Sequence, residues 1–473
     1  MRRNMNVALA SLGLLLGTAA CNSFLTGDKL SQNPNLPTAA STTQLFVGVQ
    51  AGQFAFQEGT VAMMMCEWVQ ACSAGNSRFV QQAAQYVFGE TSNIAANGGD
   101  WISVYDAGGL IDIRRVQAGT QAAGDSQWLG IAKIWEALTI GTASAMWGDI
   151  PYSEAVGTSN SPALDNRFVI LGQLQTLLDQ AIAELSGPGP GPGGADLVFG
   201  GDAAKWTAAA WTLKARYFMQ TAESLPATAY TAAIAAALNG ISAPSGDFRA
   251  HHGANTSERN MWAQFQTSSG FGTDLEAGKA LVDYMNARND PRRAQYFCLN
   301  GLGGYGGDDY NTPPLPDSVS NFACQPPRFA DTASVPYVTF AENELILAEA
   351  YNKTGNDAVA ATHLNNAYAA VPGLASTAGA ATGAVLLDSI MMEKYVAMFQ
   401  NIESMNDYRR TCIPALTPYL ANSAGFSNVP GRLFYPQNER NVNTNVPKPN
   451  VQLATHGFRN AGDVLACTVQ GVP

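Results

Sequence analysis

Eight side chains, in two stretches of the chain, are of the kind that hold a ligand rather than transform it. Trp68, Arg78, Trp101 and Tyr105 form the first group; Trp262, Phe271, Tyr305 and Tyr310 form the second. Aromatic rings stack on the apolar C–H faces of sugars, while Arg, Asn and Asp bind hydroxyls, and peptides use similar platforms. Trp68 follows an apolar run that would equally suit the core, where aromatics are common. Asp308 and Asp309 lie in the Gly-rich run Gly301–Tyr310, but two adjacent acids fall well short of a calcium ligand set. His251 and His252 are neighbours and lack the spacing of a zinc site. No Gly-x-Ser-x-Gly elbow, His-Glu-x-x-His or phosphate loop is present, and the abundant carboxylates mark no glycosidase pair without geometry. No catalytic residue, metal or cofactor is expected.

Cys21 carries a different chemistry. Arg2 and Arg3 precede the apolar run Val7–Leu16, and the small residues Gly17-Thr18-Ala19-Ala20 lead into Cys21. A basic start, a short apolar core and small residues before the cleavage point make a secretory signal. That core is too short to remain as a membrane span. The placement of Cys21 resembles a bacterial lipobox, with Thr18 where Leu is usual, so a signal peptide over 1–20 and a lipidated tether over 21–40 are expected. The other six cysteines are Cys66, Cys72, Cys298, Cys324, Cys412 and Cys467. An even number suits disulfides in an oxidising compartment, with about fifteen possible connectivities. Neighbour pairing closes the shortest loops and is the expectation here.

Charged residues make up only 13% of the chain and the formal net charge is −11. An acidic chain without basic clusters argues against nucleic acid or anionic lipid as a partner. Attachment to a membrane must then come from the lipid on Cys21.

The elements that must position the aromatics are helical. Trp128, Ile131, Trp135, Leu138, Thr142 and Ala145 recur at helical spacing, and the helix stops at Trp147-Gly148-Asp149-Ile150-Pro151. Further helices are predicted over 168–185, 202–223, 227–238, 340–353, 357–370 and 384–400. Small residues at Ala348, Ala350, Gly355, Ala361 and Ala367 give the pair at 340–370 a degenerate tetratricopeptide character. The expected fold is mainly α, with about four tetratricopeptide-like helix pairs in a single domain over 41–473. A long loop region, about 241–336, interrupts the pairs, and loops of that length are usually functional or cross-linked. The segment after Thr411 also reads as loop.

Taken in order, several segments resemble the SusD/RagB family of nutrient-binding outer-membrane lipoproteins. They are the lipobox-like cysteine, Asn33-Pro34-Asn35, and Met146–Ala155 with its Trp-Gly-Asp-Ile-Pro-Tyr core. Trp211–Arg216, Ala341–Ala350, Glu393-Lys394-Tyr395, Asn406–Arg410 and Arg432–Pro436 with Glu439 and Asn443 complete the set. The resemblance implies helix pairs supporting a loop-rich ligand face. It also implies a glycan or peptide ligand, a SusC-type TonB-dependent transporter as partner, and a cell-surface outer-membrane address. The six extra cysteines and the lack of an acidic run after Cys21 depart from the family pattern. In the family the ligand site draws on the same two regions as the aromatic candidates. Trp147, Asp149, Pro151 and Tyr152 read as a structural helix stop, and Arg409 and Arg410 as structural cations near a helix end. Two other functions fit the sequence: a secreted hydrolase of glycans or peptides, and an assembly factor holding proteins on its repeats. An α/β solute-binding protein does not fit, because strands do not alternate with helices.

Overall fold

Helix follows helix wherever the sequence supplies a cap and an apolar stripe. The computed structural model describes residues 40–75, 84–86, 99–157, 159–268, 274–375, 379–421, 426–455, 458–460, 462–463 and 467, and Leu45–Pro473 form one compact unit. Arg78, Phe271 and Cys21, with the expected signal and tether, lie outside the described residues.

The amino-terminal part holds α1 (Thr42–Glu58), α2 (Thr60–Trp68), a two-residue strand β1 (Cys72–Ser73), α3 (Gly99–Tyr105) and α4 (Leu110–Ala122). Two long helices follow, α5 (Ser126–Trp147) and α6 (Arg167–Leu185). Each starts on an acceptor side chain: Asp125 takes the N–H of Trp128, and Asn166 that of Phe168. Gly130 lets them close up, since a Cβ there would lie 2.8 Å from the Ala181 carbonyl oxygen. Next are α7 (Ala203–Met219), capped by Asp202, and α8 (Pro226–Ala237), with Pro226 at its first position where no N–H is needed. The predicted 202–223 helix ends early because Thr221–Ser224 close into turns before Pro226.

Residues 241–336 are not a plain loop. Strand β2 (Phe248–Ala250) pairs antiparallel with β4 (Val335–Val338), so the region leaves and rejoins the body through one short ladder. Within it lie α9 (Met261–Thr267), strand β3 (Glu276–Ala277), α10 (Lys279–Ala287) and α11 (Arg293–Tyr296). These helices are four to nine residues long, too short for periodicity to reveal against so many Gly, Asn and Pro.

The last pairs are α12 (Phe340–Lys353) with α13 (Asp357–Ala369), then α14 (Gly383–Ala397) with α15 (Glu403–Thr411). Thr339 caps α12 by accepting the Glu342 N–H. Helix α12 is sandwiched: Ile346, Leu347 and Ala350 pack with α7 and α8, and Leu345 and Ala348 with α13 and α14. This stacking of helix pairs is the tetratricopeptide-like arrangement the sequence implies. Beyond Thr411 the chain is mostly irregular, with α16 (Gln437–Val442) and α17 (Pro449–Ala454). Among the described residues, no helix is long and apolar enough to cross a membrane.

All three neighbour disulfides form: Cys66–Cys72, Cys298–Cys324 and Cys412–Cys467, with Cα separations of 5.1, 5.9 and 5.0 Å.

Candidate functional site

The aromatic candidates divide into those that pack and those that face a pocket. Trp68 and Trp262 are fully buried; Trp262 sits edge-on to Phe329 at 5.7 Å. Rings with no exposed face offer a sugar nothing to stack on, so these two are core residues. Trp101 is buried as well, packed edge-on against Trp147 and Tyr435, and its indole N–H donates to Glu439 at 3.2 Å. Tyr105 donates to the Pro151 carbonyl at 2.9 Å and stands against Trp101. Trp101 belongs to a structural stitch, which half-buried Tyr105 joins through its hydroxyl.

That stitch explains the Trp-Gly-Asp-Ile-Pro-Tyr segment. Gly148 takes φ +86° to end α5, and Asp149 accepts the Arg167 N–H at the start of α6. Trp147 donates to the Phe434 carbonyl, Tyr435 donates to that of Asp149, and Tyr152 donates to buried Glu136. The segment therefore clamps the carboxy-terminal run Arg432–Pro436 onto the first helix pair. Arg409 and Arg410 are structural too, through buried hydrogen bonds rather than a helix dipole: Arg409 donates to the carbonyls of Ala145 and Gly431, and Arg410 to Glu349 and Asp407.

Tyr310 behaves differently. It is half-buried, its hydroxyl is held by the backbone of Ala74, and its ring lies 5.9 Å from that of Tyr419 at a steep angle. Together with Tyr86, Ser73, Asp308 and Asn311 they line a small pocket with about 20 Å³ of free space. Tyr305, half-buried, lies outside this lining with the Arg293 guanidinium 5.5 Å over its ring.

Three chain segments build the pocket. The Cys66–Cys72 disulfide folds the end of α2 back so that β1 pairs with β3. The Gly-rich run adds to the same ladder, with Lys279 donating to the Asp308 carbonyl and Asp308 to that of Ala277. The third segment, Thr417–Leu420, is fastened by Asn311, which donates to the Pro418 carbonyl and accepts the Leu420 N–H. Substituting Cys66→Ser with Cys72→Ser should cost about 2 kcal/mol for so short a loop. Urea denaturation of the oxidised wild type and the double variant measures this, and equal midpoints would contradict it.

The pocket's electrostatics are acidic and under-solvated. Glu67 is buried with neither oxygen hydrogen-bonded among the described residues, and burial pushes its pKa well up. Burial, assisted by Asp308, pushes Glu276 up to about 7, and burial raises Asp308 although Ser73 donates to it at 2.6 Å. Burial also pushes the Tyr86 hydroxyl up to about 12. Such a pocket, with buried carboxyls pushed toward their neutral form, suits a neutral, hydroxyl-rich ligand that exchanges hydrogen bonds with them and lays an apolar face on a tyrosine. Tyr86, Tyr419, Asn311 and Glu67 escaped the sequence reading. Tyr419 and Tyr86 satisfy the same rule of aromatics in irregular segments, but nothing local ties either to Tyr310.

A family model described as "Starch-binding associating with outer membrane", SusD-like, matches residues 34–436. Among curated proteins no match is found. Solved structures similar in fold include a chitin-binding protein, with TM-score 0.73 and 21% identity over 90% of this chain and 100% of that one. A chitin-binding SusD homolog from Flavobacterium johnsoniae has TM-score 0.71 and 19% identity, covering 89% and 97%. A SusD/RagB family protein from Bacteroides thetaiotaomicron has TM-score 0.68 and 19% identity, covering 90% and 98%. The stacked helix pairs, the segments that stitch them and the match across most of the length agree: this chain belongs to the SusD/RagB family.

Proposed function

We propose that the protein is a non-catalytic, nutrient-binding lipoprotein of the outer membrane. Lipid on Cys21 anchors it at the cell surface, with residues 1–20 removed and 21–40 as a tether. It captures a glycan and delivers it to a SusC-type TonB-dependent barrel. The observation that carries the reading is the pocket where Tyr310 and Tyr419 present half-buried rings beside Asp308 and Asn311. The family description and the chitin-binding names of two relatives support a glycan over a peptide. Of the aromatics chosen from sequence, Tyr310 is the one proposed to touch ligand, with Arg78 and Phe271 as further contacts and Tyr305 at the rim.

Two measurements test this. In calorimetric titration with chitin and starch oligosaccharides, Tyr419→Ala should weaken binding about tenfold, the loss of one stacked ring. Binding of peptides alone, or of glycan undiminished by the substitution, would overturn the assignment. Solubilised outer membranes should yield the protein together with a barrel transporter; a protein found free in the periplasm would contradict the delivery role.

A further inference from the structure

On another part of the surface, the long insertion meets the helix pairs across a cleft of about 260 Å³ that shares no residue with the tyrosine pocket. One side is apolar, formed by Phe340, Ala341, Ala367, Ala370, Val371 and Ala397 at the ends of α12, α13 and α14. The other side carries Arg249, Arg292 and Arg328 against only two carboxylates, Asp247 and Glu393.

The charges do not cancel evenly. Arg249 is paired with Asp247, donating through Nε at 3.1 Å. Arg292 is paired with Glu393 at 2.8 Å and with Asp290 at 2.7 Å. Arg288, on the same two acids, uses up their remaining capacity. Arg328 has no carboxylate within ion-pair distance among the described residues. Its Nε donates to the Gln400 side chain and one Nη to the Phe399 carbonyl, both at 3.0 Å, and its guanidinium lies 5.6 Å over the Tyr296 ring. Burial lowers its pKa, and Arg249 and Arg292 are close enough to add to that lowering. In a protein with net charge −11, a half-buried arginine left without a counter-ion beside two others is an unspent anion site.

We propose that this cleft is a second ligand site, taking a small organic carboxylate whose head group meets Arg328 beside Arg249 and whose compact body lies on the Phe340–Val371 wall. At about 260 Å³ the cleft lies near the lower end of ligand pockets, which run to roughly 300–1,000 Å³, a size for a single ring bearing one acid. Its chemistry is opposite to that of the acidic tyrosine pocket, so the two sites would not compete.

The test is titration of the mature chain with D-glucuronate and benzoate, with D-glucose and inorganic phosphate alongside. The carboxylates should bind saturably and D-glucose should not. Arg328→Gln should weaken carboxylate binding about tenfold, the loss of one charge-assisted contact. Val371→Trp, which fills the cleft and leaves every arginine in place, should weaken it at least as much. It decides the matter if Arg328→Gln fails to fold. Glycan binding at the tyrosine pocket should be unchanged in Val371→Trp. No saturable carboxylate binding, binding of phosphate alone, or carboxylate binding that survives Val371→Trp would each overturn the proposal.

Discussion

Replacing Glu349 with alanine should cost about 3–5 kcal/mol of folding stability, the penalty for stranding a buried partner charge. Glu349 is fully buried on α12 and takes two hydrogen bonds from Arg410, at 2.6 and 2.9 Å, with Lys394 at 3.8 Å. Asp407 bridges the same two cations, 2.8 Å from Lys394 and 2.7 Å from Arg410. Without Glu349, two buried positive charges share one carboxylate, and water cannot reach them. Equilibrium denaturation at neutral pH measures the loss; a change below 1 kcal/mol, the range of exposed pairs, would sink the argument. Replacing Glu349 and Arg410 together by apolar residues of similar volume should recover most of the stability, because the desolvation cost disappears with the pair.

The same pair predicts an acid dependence. Burial pushes the Glu349 carboxyl up, but Arg410 and Lys394 outweigh it and hold it below the ordinary glutamate value of 4.5. A carboxylate depressed in the folded state contributes stability that is fully present above its unfolded pKa and is lost as pH falls through its folded value. The stability gap between wild type and Glu349→Ala should therefore be widest at neutral pH and narrow progressively as pH falls below about 4.5. A gap that grows on acidification would reverse the sign assigned here.

The second large effect falls on the tyrosine pocket. A Cβ at Gly278 would meet the carbonyls of Gln70 and Ala71 far inside van der Waals contact, and backbone cannot rotate away. Gly278 is also where the ladder is tied, donating to the Ala71 carbonyl at 3.1 Å beside Lys279, which donates to that of Asp308 at 2.9 Å. Gly278→Val should thus cost about 3 kcal/mol, the upper end for overpacking. It should also separate β1 from β3, removing the Ala74 hold on Tyr310 and with it glycan binding. Hydrogen exchange should rise at residues 70–75 and 306–310 while α12–α14 keep their protection. Uniform loosening, or wild-type binding, would contradict the local role given to this glycine.

How much of this was legible in the sequence follows from where periodicity and caps are strong. Helices α5, α6, α12 and α13 carry long apolar stripes and Asp, Asn or Thr caps, and their limits fall within a residue or two of those expected. The short elements of residues 241–336 carry no stripe, and β2 and β4 pair across a separation that no local pattern reports. Trp68, Trp101 and Trp262 illustrate the other limit. Aromatic type alone does not separate a platform from a core residue: all three are buried, Trp101 and Trp262 against rings distant in sequence. The family-like segments, by contrast, converge in space. Arg216 meets Glu342, Lys394 meets Asp407, and Arg410 meets Glu349, all buried. What those segments share is the wiring of the scaffold, which is why they name the fold well and the ligand poorly.

The β2–β4 ladder has an implication for how such a protein can diversify. Its two strands stand about 5 Å apart, so the chain leaves and returns at one place, even though Trp262, Leu281, Phe322 and Phe329 between them pack into the main core. Closing a longer or shorter excursion through that doorway changes the entropy cost only slowly with length. An exchange confined to the insertion's exposed stretches, such as residues 312–317, would leave the helix pairs undisturbed, provided that the Arg292 tie to Glu393 and the β1–β3 pairing are kept. Natural variation can therefore rewrite the exposed rim of the insertion while its buried part keeps the fold in place.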